Sequence, residues 1–167
     1  MLDKQIYKAR DTATLYATIK NVGKFNLENI QVEASIPAIA YSQTQTINIP
    51  RGQSETASFS VLLSDSVASG SYDVNITVGL QSGSSLAQTS RFSVPESRLE
   101  ISYPGSSSVS AGDQVALMIK NAGGVHTTFS DGSIELKDAN SVMLLHTNLA
   151  GGSIDVGEQI PFGTVRI

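Results

Sequence analysis

The sequence contains no cysteine and no tryptophan, and only 6% of its 167 residues are aromatic. Small secreted domains often depend on disulfides, so the lack of cysteine mildly favours a cytosolic protein. Bacterial and archaeal surface proteins also manage without disulfides, which leaves an exported protein open. Because aromatic side chains are few, any core must consist mainly of Val, Ile, Leu and Ala.

The sequence also lacks a cluster of basic residues and any run of 18 apolar residues. Its formal net charge is −4, whereas a nucleic-acid partner requires a basic stripe that neutralises phosphates. We therefore expect no nucleic-acid partner. The first residues lead into a polar strand pattern rather than a signal peptide. We expect a part of a longer exported protein, attached to a membrane only through a segment outside this sequence.

One strand pattern is written twice in the sequence. Residues 12–23 read TATLYATIKNVG, and residues 114–123 read QVALMIKNAG. Because alternate residues of a strand point to opposite faces, each copy is predicted to have one apolar and one solvated face. Asn-x-Gly ends both copies, and these residue types tolerate the positive φ angles that stop a strand. Four residues are thus predicted to be structural: Asn21, Gly23, Asn121 and Gly123.

Strand patterns separated by Gly and Pro fill the rest of the sequence, and no stretch keeps a helical period. This predicts an all-β protein of two tandem Ig-like antiparallel β-sandwiches, with domains at 1–95 and 96–167. The second domain is predicted to lack counterparts of the last two strands of the first, Tyr72–Leu80 and Leu86–Val94. A shortened sequence, disorder of the missing strands or a strand from another chain would each explain this.

A series of turn and core motifs runs through the first half of the sequence. In order, they are Asp11, Asn21-Val22-Gly23, Asn29-Ile30-Gln31-Val32, Ile36-Pro37, Pro50-Arg51-Gly52-Gln53-Ser54, Phe59-Ser60-Val61 and Gly70-Ser71-Tyr72. The series resembles a bacterial and archaeal group of Ig-like surface modules. This group includes CARDB (the cell-adhesion-related domain of bacteria), the domain attached to alpha-galactosidases, and repeats of archaeal surface-layer-type proteins.

The resemblance covers roughly residues 8–94, with a weaker half-match over 98–167. Arg10 occupies the position of the group's Gly before Asp, whereas Gly112-Asp113 keeps the pair. The resemblance implies a fibronectin III- or CARDB-like sandwich that serves as a spacer, adhesion module or accessory domain on an exported protein. Its motifs are turn and core residues, so they specify a fold and carry no catalytic residue.

Two residues of the strand that follows Gly70 have predicted roles. Tyr72 at its start predicts a tyrosine corner, in which the hydroxyl bonds back to nearby backbone. Asn75-Ile76-Thr77 fits the N-glycosylation sequon, so Asn75 is a candidate modification site. A position in the middle of a strand is, however, less accessible to modification than a loop.

Two tyrosines are candidate ligand contacts. Tyr16 is predicted on the outward face of the repeated strand, where an aromatic ring can stack on a sugar. Packing under a loop or against a neighbouring domain is the alternative that we favour for Tyr16. Tyr41 is predicted in a polar segment, Ala38–Gln45, that is either irregular or an edge strand. It is therefore the better candidate for a contact exposed to water.

The sequence patterns typical of enzymes and metal sites are missing. No acid or cysteine lies at metal-like spacing from His126 or His146, and Asp131-Gly132 predicts a turn rather than a calcium loop. There is no Gly-x-Ser-x-Gly elbow and no glycine-rich phosphate loop. We therefore expect a protein that is not an enzyme, with no catalytic residue, cofactor or metal.

The leading hypothesis is a non-enzymatic structural and adhesion module of a cell-surface or exported protein. Its partners would be other domains of the same polypeptide or other surface proteins. One alternative is a carbohydrate-binding accessory domain of a secreted glycosidase, with a polysaccharide as partner. Another is a filament or surface-layer subunit whose open second domain accepts a strand from the next copy.

Overall fold

The computed structural model describes residues 1–80, 83–105, 112–137 and 140–166. The chain is all-β, and its named strands pair antiparallel throughout. It forms two compact units, Met1–Pro95 (unit 1) and Glu96–Ile167 (unit 2). Within the described ranges, no helix is long and apolar enough to cross a membrane.

Within residues 1–80 and 83–95, unit 1 contains six strands in two sheets. One sheet pairs β1 with β4, and the other has the order β3-β2-β5-β6. A short 3-10 turn, Pro37–Ile39, connects β2 to β3. The strands are β1 (Thr12–Lys20), β2 (Leu27–Ile36), β3 (Tyr41–Ile49), β4 (Ser54–Leu62), β5 (Gly70–Gly79) and β6 (Ser85–Val94).

The first residues of unit 1 join both of its sheets. Leu2 forms an antiparallel bridge with Leu15 of β1, and Ile6 forms a parallel bridge with Ser93 of β6. The next residue, Tyr7, is fully buried, and its ring lies edge-on to Phe92 with centroids 5.1 Å apart. The sequence analysis did not find Tyr7 as a core residue, because it lies outside any long alternating pattern.

The core of unit 1 follows the predicted alternation. Alternate residues of β1, β2 and β4 and of the first half of β5 face inward, and buried side chains come from both sheets. They include Leu15, Ile30, Phe59, Val74 and Phe92. Aliphatic residues thus form most of the interior, with a small aromatic group around Phe92.

The described residues of unit 2 form seven shorter strands. They form a three-stranded sheet of order β13-β8-β7 and two pairs, β10-β11 and β12-β9. In the described part of unit 2, β10 pairs with β11 only. The strands are β7 (Leu99–Ser102), β8 (Gln114–Asn121), β9 (Thr127–Phe129), β10 (Gly132–Lys137), β11 (Met143–Leu149), β12 (Gly152–Ile154) and β13 (Gln159–Arg166).

The two units share one pairing scheme. β8 pairs with β13 as β1 pairs with β4, and Lys120 lies opposite Gln159 as Lys20 lies opposite Ser54. The short strands β9 and β10 pair with β12 and β11 much as β2 pairs with β3. The register therefore makes Asn121 the counterpart of Asn21.

The residues before the repeated strand also correspond. Gly112 has a φ of 97°, and Arg10, which stands in place of a glycine, has a φ of 69°. An L-residue in this left-handed region costs about 1–2 kcal/mol relative to a glycine. Arg10 also forms an exposed ion pair with Asp65 through its Nε and Nη2 atoms.

Candidate functional site: the asparagine turns and a cleft at Tyr41

The turn after β1 is held by the side chain of Asn21, which is 2% exposed. Its Nδ2 donates to the carbonyl oxygens of Phe25 and Ile49 at 2.8 and 2.9 Å. Its Oδ1 accepts from the N–H of Gly23 at 2.9 Å. One buried amide thus fastens its own turn and also binds the end of β3, at the fully buried Ile49.

Asn121 makes the same set of bonds in unit 2. Its Nδ2 donates to the carbonyl oxygens of Val125 and Ile154 at 2.8 and 3.1 Å, and its Oδ1 accepts from Gly123 N at 3.0 Å. It also donates to Thr127 Oγ1 at 3.2 Å. We call Asn21–Phe25 and Asn121–Val125 the asparagine turns.

The prediction that these residues stop the strand through positive φ angles is wrong. None of Asn21, Gly23, Asn121 and Gly123 has a positive φ. The asparagines act instead through an amide that combines two donors with an acceptor, so that it satisfies three backbone groups at once, the carbonyl of Ile49 or Ile154 among them being buried. Their structural importance stands, but its physical cause lies in the side chain.

The glycine of each turn has a different surrounding. A Cβ atom on Gly123 would lie 2.4–2.6 Å from backbone atoms of Glu96, Ser97 and Arg98. A Cβ atom on Gly23 would meet only Asn21 Oδ1, at 3.2 Å. Gly123 therefore makes room for the segment that leads into β7, whereas no comparable segment is described at Gly23.

An open cleft of about 530 Å³ lies at the other end of unit 1. Its walls come from the 3-10 turn with the start of β3, from the end of β4 with the turn that follows, and from Tyr72. Every lining residue is uncharged, which favours a neutral ligand over an ion or a phosphate. They are Ala38, Ile39, Ala40, Tyr41, Val61, Leu62, Ser64, Ser66, Val67, Ala68 and Tyr72.

Tyr41 lines this cleft. It is the first residue of β3, the edge strand of its sheet, and is only half exposed. Of the two alternatives that the polar sequence left open for this segment, the structure shows the edge strand from Tyr41 onward. Tyr41 Oη donates to Gln43 Oε1 at 2.8 Å. Burial raises the pKa of the Tyr41 hydroxyl above its ordinary value, which favours the protonated, hydrogen-bond-donating form.

β3 also protects the free edge of β4 through side chains. Gln45 Nε2 donates to Ser58 O at 2.6 Å, and Gln45 Oε1 accepts from Ser58 N at 3.3 Å. The amide therefore imitates a paired strand at Ser58. Since an unpaired edge invites association with other chains, Gln45 is a local form of edge protection.

The remaining polar groups of the cleft are hydroxyls. The Oγ atoms of Ser64 and Ser66 are 2.9 Å apart, and Ser64 Oγ also accepts from Ser66 N. Leu62 beside them is 69% exposed. The sequence analysis missed these residues. An available signal was the outward position of Leu62 on β4, where a polar residue would be expected.

Of the other predicted residues, Tyr72 holds the fold beside the cleft, and Tyr16 lies away from it. Tyr72 Oη donates to Ala68 O at 2.6 Å, the backbone bond that the tyrosine corner predicts, and its ring stacks on Phe92. Tyr16 is 43% exposed on β1 and does not line the cleft. The structure therefore does not bring Tyr16 and Tyr41 into one site.

Asn75 occupies the middle of β5, a strand paired on both sides. It lies opposite Ser35 of β2 and Thr89 of β6. Its Oδ1 accepts from Thr89 Oγ1 at 2.8 Å. The candidate glycosylation site thus lies in the centre of a sheet rather than in a loop.

Each histidine lies beside a carboxylate distant in the sequence. His126 Nδ1 is 2.7 Å from Asp155 Oδ1, and His146 lies across the strand pair from Glu135, with Nδ1 3.7 Å from Oε1. A hydrogen bond from Lys137 is the main cause that lowers the pKa of Glu135. Within the ranges that the structure describes, no three His, Cys, Asp or Glu side chains cluster as a metal site would require. Asp131 accepts from Gly151 N at 2.7 Å.

No family model and no curated protein matches this chain. Distantly similar solved structures include the following two. One, from a chaperone–tip adhesin complex of CFA/I fimbriae biogenesis, has 11% identity and a TM-score of 0.36, covering 96% of this chain and 83% of its own. The other, the sporulation control protein Spo0M of Bacillus subtilis, has 13% identity and a TM-score of 0.38, covering 83% and 73%. Neither likeness supports a function for this chain.

Proposed function

We propose that the chain is a tandem pair of Ig-like β-sandwiches that serves as a non-enzymatic spacer and interaction module of an exported protein. The observation that best supports this proposal is that the residues repeated in both units hydrogen-bond the backbone and so stabilise the fold. Asn21 and Asn121 bind the same backbone groups in the two units. A duplicated scaffold of this kind is typical of a building block for extended surface proteins.

The sheet orders support the finer fold proposal. In unit 1, β1 and β4 form one layer and the order β3-β2-β5-β6 forms the other, while the first residues bridge to both. Two antiparallel layers whose buried residues alternate along each strand are typical of the Ig-like and fibronectin III sandwiches. The resemblance of the turn motifs to the CARDB group favours the same fold and an extracellular location.

Protease treatment of intact cells that express the whole protein natively tests the location. We expect proteinase K to degrade the segment on intact cells, while a cytosolic marker stays intact. Survival of the segment in intact cells, with degradation only after the cells are lysed, would contradict an exported spacer.

An exchange experiment separates the spacer role from the interaction role. In the whole protein, residues 1–167 are replaced by two unrelated β-sandwich domains of similar length. A spacer predicts that adhesion or surface assembly survives the exchange, whereas an interaction module predicts its loss. If the whole protein catalysed a reaction that the exchanged protein did not, and the purified segment catalysed it alone, the non-enzymatic proposal would be wrong.

A carbohydrate-binding accessory role is the second candidate, and the cleft at Tyr41 is the observation that favours it. An aromatic ring beside the Ser64 and Ser66 hydroxyls suits the apolar face and the hydroxyls of a neutral sugar. On a glycan array and in calorimetry, Tyr41→Ala should weaken binding at least about tenfold. Tyr16→Ala is the matched control and should leave binding unchanged. The candidate fails if no polysaccharide binds.

A further inference from the structure

The backbone groups of β4 point alternately to its two edges, as in any antiparallel ladder. Leu63 N donates to the carbonyl of the residue before β1, which places the bonds of Leu63 on the side of β1. Gln45 bonds both backbone groups of Ser58, which therefore point away from β1. The register between β1 and β4 runs without a bulge. Two further residues of β4 therefore share the direction of Ser58, namely Ser60 and Leu62.

This edge is unpaired where β4 ends. Among the described strands, β4 pairs with β1 alone. Within the described residues, no hydrogen bond reaches Ser60 N, Leu62 N or Leu62 O. Tyr41 Oη is 3.5 Å from Ser60 O, at the outer limit of a hydrogen bond. Leu62 also lines the cleft at Tyr41. We call the free edge at Ser60–Leu62, together with this cleft, the β4 groove.

The β4 groove lies between strands in the interior of the sequence of unit 1. The first residues bridge elsewhere, Leu2 to the opposite edge of β1 and Ile6 to β6. The wall across from β4 is fixed by the 3-10 turn, in which Ala40 N donates to Pro37 O at 3.1 Å. Ala40 has a φ of 52°, a left-handed conformation that an L-residue keeps only where its surroundings impose it.

The inward side of the β4 groove is apolar. Val61 lies between Ser60 and Leu62 on the inward face of β4, and Val61 and Val67 are both buried. Ile39 lines the cleft beside them, and every lining residue is uncharged. A strand that paired with β4 here would direct the side chain opposite Val61 toward these residues, because paired residues point to the same face of a sheet. The groove therefore offers backbone bonds at its edge and an apolar position for one side chain.

We propose that the β4 groove binds an extended, uncharged segment of a partner polypeptide. The segment pairs with β4 at Ser60 and Leu62 and places one apolar side chain beside Val61. An extended backbone supplies the donors and acceptors that match this edge, and its side chains add specificity. Gln45 limits the site to the end of β4, because its amide already bonds Ser58. The inference rests on the interaction role proposed above and names its surface and its class of partner.

A synthetic peptide tests the pairing on the purified chain of residues 1–167. The probe is an acetylated and amidated heptapeptide with a central Leu, two Thr on each side and a Lys at each end. A matched peptide carries N-methyl groups on the two Thr next to Leu, which removes the donors that meet the edge. In an NMR titration the first peptide should shift the amides of Ser60 and Leu62. The methylated peptide should bind at least about tenfold more weakly.

Two substitutions at Leu62 test the edge from the side of the protein. Leu62→Pro removes the N–H that faces the groove and leaves the bonds to β1 in place. It should weaken binding of the first peptide at least about tenfold, whereas Leu62→Thr keeps the N–H and should bind within about threefold of the original chain. Equal binding by these two variants, each with the circular dichroism spectrum of the original chain, would overturn the proposal.

Gln45→Ala should act in the opposite direction. At concentrations at which this variant is monomeric, it should bind the first peptide about threefold more tightly or better, because Ser58 then joins the free edge. A sugar in the cleft gains nothing from Ser58, so unchanged binding would count against strand pairing. If the first peptide leaves the Ser60 and Leu62 amides unshifted at millimolar concentration, the proposal is overturned. The exchange experiment would still decide the interaction role.

Discussion

Asn21 and Asn121 bind equivalent backbone groups in two units that share little other sequence. Each side-chain amide donates to the carbonyl oxygen of a fully buried isoleucine, Ile49 or Ile154, and accepts from the glycine N–H two residues on. The main chain of each asparagine also bonds the tight turn that precedes β4 or β13. Gly52 N donates to Asn21 O, and Gly157 N donates to Asn121 O. The asparagine thus joins three segments of its unit at one point.

Removal of this amide should be costly because it leaves a buried carbonyl group without a donor. We expect Asn21→Ala to lower the free energy of unfolding of unit 1 by roughly 2–4 kcal/mol, since each buried unsatisfied group costs about 1–3 kcal/mol. Asn75→Ala, which removes one hydrogen bond on a partly exposed face, is the control and should cost about 1 kcal/mol or less. Urea unfolding followed by NMR measures both. A loss below about 0.5 kcal/mol for Asn21→Ala would contradict the structural role.

The two turn glycines should differ in their tolerance of alanine. A Cβ atom on Gly123 meets backbone atoms at 2.4–2.6 Å, so Gly123→Ala should destabilise unit 2 by about 1–3 kcal/mol through overpacking. The Cβ of Gly23→Ala meets one side-chain oxygen at 3.2 Å, and the change should stay within about 1 kcal/mol. Thermal unfolding of both variants decides the point, and equal effects would count against the described geometry.

Tyr7 should make the stability of unit 1 dependent on alkaline pH. Burial, together with the hydrogen bond that its Oη donates to Asp3 Oδ1, raises the pKa of Tyr7 from its ordinary value of 10.0 to about 12. Because the folded pKa lies above the unfolded one, the contribution is complete below pH 10 and is lost as pH rises toward about 12.

Unfolding measured between pH 8 and 12 should therefore show a falling stability that Tyr7→Phe makes flatter. Tyr16→Phe is the control, because the Tyr16 ring lies on the outward face of β1, 43% exposed. If Tyr7→Phe leaves the slope of stability against pH unchanged, the assignment of the effect to Tyr7 is wrong.

Gln45 should affect association more than stability. Gln45→Ala removes the amide that bonds both backbone groups of Ser58, and so exposes the edge of β4. We expect a loss of about 1 kcal/mol in stability together with concentration-dependent association. Thr44→Ala, on the neighbouring position of β3, is the matched control. Analytical ultracentrifugation over a range of concentrations distinguishes them, and a monomeric Gln45→Ala chain would refute edge protection.

The part of the fold that sequence predicts well is the part that depends on local alternation. The inward positions of β1, β2, β4 and β5 follow from a period of two residues, because successive side chains on a strand point to opposite faces. β3 was predicted too short, since its polar side chains hide the same period. Tyr7 was missed because one buried ring in a short segment creates no period at all.

The candidate site was predictable only in part. Tyr41 was predicted as a candidate ligand contact in a polar segment; the structure places it on the edge strand β3 beside a cleft, where its Oη donates to Gln43 Oε1. Leu62 was not singled out, and its exposure depends on which segments fold over the end of β4. His126 and Asp155 lie 29 positions apart, and no local pattern relates them.

By itself, the sequence determined that strands alternate with Gly- and Pro-containing turns and that one strand with its Asn-x-Gly ending occurs twice, because these features are periodic and local. The tertiary structure decided what the asparagines do, since their amides bond carbonyl groups 28 and 33 positions away. Hydrogen bonds between distant segments depend on how the strands pair, and a linear pattern does not specify those partners.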